Sequence, residues 1–182
     1  MTATTVNWQP QHLEDNVVKL VPLAEKDFES LFKVAADPLI WEQHPANDRY
    51  KREVFQQFFD GAIASKTSFL IIDKPSNEII GATRYYDYQP GNSGIAIGYT
   101  FLVRKCWGGQ FNKSAKRLLL NYAFQFVDKV YFHIGATNLR SQLAIKKFGA
   151  AKVNELYIDN NGQSQFYFEY LIRKEDWNSL SL

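Results

Sequence analysis

The segment Ile97-Gly98-Tyr99-Thr100-Phe101-Leu102-Val103-Arg104-Lys105-Cys106-Trp107-Gly108-Gly109-Gln110-Phe111-Asn112-Lys113 governs the reading of the whole chain. Its first half extends an apolar and aromatic run from about Ile95 to Val103, which predicts a strand. Its second half breaks at adjacent glycines and leads into Ala115, Leu118, Leu119, Tyr122, Ala123 and Phe126, spaced as one face of a helix. Strand, glycine turn and helix in that order make a candidate phosphate cradle. The first turn of a helix leaves its amides unpaired and partly positive, and glycine lets a phosphate approach the backbone without meeting a Cβ. Arg104, Lys105 and Lys113 flank the turn, where they could add charge or simply be solvated surface. Adjacent glycines between a strand and a helix also describe an ordinary tight turn. Neither the G-x-x-x-x-G-K-[ST] nor the G-x-G-x-x-G nucleotide pattern occurs.

Toward the N-terminus, Ile79 to Tyr86 and Phe69 to Asp73 are apolar runs joined by Lys74-Pro75-Ser76-Asn77, a turn composition that predicts an antiparallel hairpin, and Pro90 to Ser93 predicts another turn. Val54, Phe55, Phe58, Phe59, Ala62 and Ile63 repeat at three and four residues as a helix with one aromatic face. Phe28, Leu31, Phe32 and Ala35 predict a shorter helix closed by Asp37-Pro38, after a first strand at Val17 to Val21 stopped by Pro22. Residues 1–16 are read as an irregular lead-in with Trp8 tucked against the body, and residues 17–178 as one domain.

Toward the C-terminus, Val130, Phe132 and Ile134 alternate as a strand. Asn138 opens a short helix that Gly149 ends, and Val153 to Ile158 and Phe166 to Ile172 form a last hairpin around Asp159-Asn160-Asn161-Gly162. The expected fold is α/β in the α+β sense: a mixed, mostly antiparallel central sheet of about seven strands flanked by about four helices.

Bulk properties narrow the function. A chain of 182 residues fits one domain, and 46% hydrophobic residues exclude a disordered chain. The 21 basic and 19 acidic residues interleave, so no basic face points to nucleic acid. Apolar runs are strand-sized, far below the roughly 20 residues of a membrane-spanning helix. A lone Cys106 and no secretory leader lead us to expect a cytoplasmic protein, and three scattered histidines give no metal-ligand spacing.

On these residues the chain resembles the GNAT acetyltransferase superfamily, and within it the branch of ribosomal-protein N-terminal acetyltransferases. That branch carries an I-G-Y/W strand before a W-G turn, here Ile97-Gly98-Tyr99 and Trp107-Gly108-Gly109. It also carries N-x-x-S-x-x-[AL]-x-x-K-x-G, here Asn138 to Gly149 with Ser141, Ala144 and Lys147 in place. The resemblance runs from about Val17 to Asp176. Two positions depart from it: Gln110 replaces the final small residue of the cofactor turn, and Ala96 stands where glutamate often precedes I-G-Y/W.

The resemblance implies acetyl transfer from acetyl-CoA directly to an amine of a small molecule, peptide or protein N-terminus, with no metal. It implies that the fourth and fifth strands splay so that backbone near Phe101, Leu102 and Val103 pairs with the pantetheine arm. It places the diphosphate on Gly108, Gly109, Gln110, Phe111 and Asn112, with Arg104, Lys113 and Lys147 as further cofactor contacts. Asn138 and Ser141 are expected to contact the cofactor as well, Ser141 as the acid for the leaving sulfur and Asn138 as its helper. Both residues also fit a plain helix cap. Glu42, Asp87, Glu155, Glu169, His44 and His133 are candidate bases by type, although His133 beside Phe132 also reads as a packed strand residue. Cys106 is expected to be dispensable. Trp41 sits in a loop that borders the acceptor site in this family, or packs in the core. Gln110 and Ala96 leave a second reading, a catalytically silent acyl-CoA-binding or regulatory module. The edge of the final hairpin could pair two copies into a homodimer.

Overall fold

Strand alternation sorts the core into two layers. In the computed structural model, which describes residues 6–160 and 163–179, strand β3 (Ser68–Asp73) sends Phe69 and Ile71 into one hydrophobic cluster and Leu70 and Ile72 into another on the opposite face. A strand buried on both faces reads as a continuous apolar run, and β3 does. The sheet between the layers has eight strands in the order β1-β2-β3-β4-β5-β6-β8-β7. These are β1 (Leu13–Glu14), β2 (Val18–Pro22), β4 (Ile79–Gln89), β5 (Gly94–Leu102), β6 (Lys129–Gly135), β7 (Ala151–Asn160) and β8 (Gln163–Arg173), besides β3. All neighbours are antiparallel except β5 and β6.

Helices α1 (Phe28–Ala35) and α2 (Arg52–Ser65) cover one face, where Leu31, Ala35, Phe55, Phe59 and Ala62 meet Leu70, Ile72, Ala82 and Phe101. Helix α3 (Gln110–Ala123) covers the other, burying Ala115, Leu119, Leu120 and Ala123 against Val18, Leu20, Ile71, Ile95 and Ile97. Tyr85 is fully buried there and its phenol donates to Leu119 O at 2.5 Å. The short α4 (Leu139–Lys146) follows β6, and Gly149, at φ 79°, ends the turn after it.

The mixed, mostly antiparallel architecture matches expectation, with two additions. Leu13–Glu14 pairs with Leu20 and Lys19, so the lead-in contributes a strand, and Trp8 behind it is buried. Helix α5 (Lys174–Ser179) holds Trp177 against the core, its indole donating to Asn121 Oδ1 at 2.8 Å. Both pieces are too short to show a period. One residue departs: α3 stops at Ala123, and Phe126, expected on its apolar face, is 44% exposed and packs edge-on to Trp8. The turn expected at Asp159 to Gly162 includes residues 161–162, outside the described residues.

Candidate active site

Strands β5 and β6 separate early. They pair only through Gly94, Ile95 and Ala96 with Lys129, Val130 and Tyr131. Beyond that point β5 keeps β4 and β6 keeps β8, so a wedge opens between their C-terminal halves. On the β4 side of β5, Ala82 and Arg84 face Phe101 and Gly98, which leaves one extra residue in β5. This bulge falls at Tyr99, whose φ is 51°. Because strand faces alternate with period two, the added residue turns Phe101 toward α2 while Leu102 keeps the α3 side. The splay of the fourth and fifth expected strands is therefore present, here as β5 and β6.

A continuous cleft fills the wedge. One lobe is bounded by Phe101, Leu102, Trp107, Gly108 and Arg140, the other by Arg49, Tyr99, Lys116, His133 and Tyr167, while Trp41, His44, Thr100, Asn112, Asn138 and Ser141 line both. The loop from Trp41 to Tyr50 forms the outer wall and is fastened to the sheet. Gln165 Nε2 donates to Pro45 O at 3.1 Å, and Arg140 N to Gln43 Oε1 at 3.1 Å. A Cβ on Gly135 would lie 2.4 Å from Pro45 Cγ, so only glycine admits this approach.

The first lobe holds the glycine turn. Gly108 has φ 71°, a conformation glycine takes without a Cβ penalty, and Gly109 is the N-cap of α3. No side chain caps the helix and no acid stands in its first turn. A Cβ on Gly108 or Gly109 would meet nothing within 4 Å, so the ground above the turn is open. Open glycines over uncapped helix amides suit the diphosphate of coenzyme A.

The cations around the turn are not equivalent. Arg104 pairs with Asp37 at 2.5 Å and Lys105 with Glu78 at 2.6 Å. Lys113 is exposed with no ion pair among the described residues, and Lys147 is exposed at the end of α4. Arg140 stacks 3.7 Å above the Trp107 ring centre and donates to Ile40 O. The expected pantetheine edge is partly committed: Leu102 O accepts from Trp107 Nε1 at 2.9 Å, and Val103 N donates to Ile80 O. Gln110 is exposed at the first turn of α3, and Phe111 is half-buried behind it.

At the junction of the lobes Asn138 is buried, and its Oδ1 accepts from Ser141 N at 3.1 Å. Asn138 thus both caps α4 and lines the cleft. Ser141 Oγ has no hydrogen-bond partner among the described residues and faces the cleft.

Lys116 is the titratable group that stands out in the second lobe. It is 7% exposed, and Nζ donates to Thr100 Oγ1 at 2.7 Å, its one hydrogen bond among the described residues. Burial pulls its pKa from 10.5 to about 7. The candidate bases divide around it. Burial, then the charge of Arg49, depresses His44 to about 3, so its ring is neutral. The Ala46 N–H donates to His44 Nδ1, which leaves the ring proton on Nε2. His133 also lines the lobe with both nitrogens engaged: Nε2–H donates to Glu169 at 3.0 Å, and Nδ1 accepts from the Tyr86 phenol at 2.7 Å. Gly98 makes room for that phenol, since a Cβ there would sit 2.8 Å from Tyr86 Cε1. Glu42 and Asp87 are exposed, and Glu155 pairs with Lys152; none of these lines the cleft. Cys106 is buried, and desolvation raises its thiol pKa, the reverse of what a nucleophile needs. Ala96 is buried in the last β5–β6 pair.

Gly108, Asn112, Asn138 and Ser141, singled out in the sequence, therefore meet in one cleft, and Phe101 and Leu102 border it. Lys116, Arg49 and Arg140 were missed. For Lys116 a signal existed, because it lies three and four residues before Leu119 and Leu120, on the buried stripe of α3. Arg49 lies in a loop without a period, and Arg140 acquires meaning only when α4 comes to rest against Trp107.

Comparison with known proteins agrees with this geometry. The family model described as acetyltransferase (GNAT) domain matches residues 18–151. No curated protein sequence matches the chain. Among solved structures, a GCN5-related N-acetyltransferase from Brucella melitensis superposes with TM-score 0.78 at 20% identity, covering 94% of this chain and 83% of that one. The acetyltransferase (GNAT family) from Bacillus anthracis gives 0.74 at 17%, covering 90% and 99%. Spermidine N-acetyltransferase from Vibrio cholerae, in complex with CoA and spermine, gives 0.67 at 15%, covering 91% and 100%. At these identities the likeness is one of fold.

Proposed function

The chain belongs to the acetyltransferase (GNAT) family, and on that footing we propose that it moves an acetyl group from acetyl-CoA directly to the nitrogen of an amine held in the lobe of Arg49, Lys116 and Tyr167. The observation that carries this reading is the continuity of the cleft: open amides at the start of α3 give onto Ser141, and beyond Ser141 onto Lys116.

Acetyl-CoA supplies an activated acetyl thioester, and the chain's own residues do the rest. Amides from Gly108 to Asn112 bind the diphosphate, with Lys113 and Arg140 placed for charge-assisted contacts. The free edge of β5 near Phe101 receives the pantetheine arm as an added strand. An alkylammonium with a pKa near 10.4 must lose a proton before it can attack. Lys116 lines the acceptor lobe and not the cofactor lobe, so its Nζ, neutral in a large share of molecules at pH 7, is the group that takes that proton. Ser141 lines both lobes and holds a hydroxyl proton at the boundary, where the leaving sulfur needs one. Asn138 fixes the turn that carries Ser141.

Titration calorimetry with acetyl-CoA, followed by thiol release with an amine panel, tests the reading. Binding with amine-dependent release is expected. Failure to bind acetyl-CoA would remove the reading, and binding without release from any amine would leave a silent acyl-CoA-binding module.

A further inference from the structure

Arg49 stands in the acceptor lobe with no partner for its charge. Its Cζ lies 4.8 Å from the Phe58 ring centre, 5.6 Å from Trp41 and 5.9 Å from Tyr99, so aromatic rings hold the guanidinium in place. The approach to His44 Nε2, 3.3 Å away, does not satisfy it. Nδ1 is the accepting nitrogen of that neutral ring and Nε2 carries the hydrogen, so two donors face each other. Among the described residues no carboxylate pairs with Arg49. Burial lowers its pKa to about 10, which leaves it charged at neutral pH.

A second guanidinium reinforces the field. Arg84 Cζ lies 3.4 Å from the Tyr99 ring centre, Arg84 also has no ion pair among the described residues, and its buried Nε has no hydrogen-bond partner. Two arginines around one tyrosine repel each other, and the half-buried fork of Arg49 keeps donors that nothing in the protein accepts. No aspartate or glutamate among the described residues lines the lobe. A polyamine such as the spermine of the Vibrio cholerae structure would add like charge to this field.

We infer, resting on the transfer reading above, that the acceptor amine carries a carboxylate, which the Arg49 fork binds through paired N–H donors while the amine faces Lys116. Arg49 is then the specificity-determining residue of the site. The carboxylate cancels the unpaired charge, and the rings of Trp41, Phe58 and Tyr99 keep the fork in register.

The test compares free amino acids, including β-alanine, each with its own carboxamide, together with spermidine and O-phosphoethanolamine, as acceptors for the full chain saturated with acetyl-CoA. At least one carboxylate acceptor is expected to exceed its carboxamide by about tenfold or more in kcat/KM. Arg49→Gln should abolish that preference while acetyl-CoA binding by calorimetry stays within about twofold. A second readout needs no turnover: N-acetylated amino acids titrated into the CoA-saturated protein should bind the wild type and not Arg49→Gln. Carboxamides or spermidine matching the carboxylates would overturn the inference and leave acetyl transfer standing. Preference for O-phosphoethanolamine over β-alanine would overturn the carboxylate assignment. Absence of carboxylate binding and turnover in both assays would overturn it as well, whereas loss of acetyl-CoA binding strikes the transfer reading itself.

Discussion

Lys116 on α3 reaches across the wedge to Thr100 on β5, Nζ to Oγ1 at 2.7 Å, and Thr100 in turn shares a 2.8 Å hydrogen bond with Thr83 on β4. The ammonium gains one neutral acceptor for the loss of its hydration, which is why burial brings its pKa down to about 7.

The sign of the pH dependence follows. The unfolded chain keeps this proton up to about 10.5 and the folded one only to about 7, so the unfolded state binds more protons between those values. Stability from this site is lowest below pH 7 and rises with pH up to 10.5. Lys116→Met should therefore be more stable than wild type at pH 6, by a margin that shrinks toward pH 10 in denaturant titrations. The same variant should lose about 100-fold or more in kcat, together with the limb of the wild-type pH profile centred near 7. Unchanged turnover would exclude Lys116 as the base.

Ser141→Ala is expected to lower kcat by about tenfold or more while the Kd for acetyl-CoA moves less than about threefold. The hydroxyl has no structural hydrogen bond among the described residues, so its removal leaves the fold intact. Steady-state kinetics beside calorimetry reads both quantities, and an unaltered kcat would return Ser141 to a cap residue.

Gly98→Ala drives a Cβ to 2.8 Å from Tyr86 Cε1. The ring must move and loosen its hydrogen bond with His133, at a cost of about 1–3 kcal/mol. Thermal unfolding should register the loss, and a melting temperature equal to wild type would mean that the ring yields freely.

Gly108→Ala meets no steric obstacle but forces an L-residue to φ 71°. A strain of about 1–2 kcal/mol falls on the turn that aims the α3 amides. Acetyl-CoA should bind more weakly in this variant than in Lys113→Ala, which loses an exposed charge worth about 1 kcal/mol or less. The reverse order would shift the weight of cofactor binding from backbone to side chains.

Cys106→Ala should keep wild-type kcat, because the thiol is buried and its raised pKa suppresses the thiolate. A large loss of turnover without a loss of stability would contradict this.

Most of the architecture was legible because burial writes its period into sequence. The α1, α2 and α3 stripes and the β3 and β5 runs announced themselves, and the glycine turn located one half of the site. What escaped depended on events without a period. The bulge at Tyr99 is a single inserted residue, visible only once β4 fixes the register. Phe126 continues the α3 spacing past the point where the helix ends. Arg49 reaches the site because Pro45 packs on Gly135 and accepts from Gln165, long-range contacts that no local pattern encodes.

The early parting of β5 from β6 also has a mechanical side. Five strands lie to one side of that seam and three to the other, and three backbone pairs are all that rivet the two panels directly. A molecule seated in the wedge occupies the place of the missing rungs and braces both panels at once. Resistance to heat or to pulling should thus grow with occupancy, since whatever binds only the assembled seam opposes its rupture by mass action.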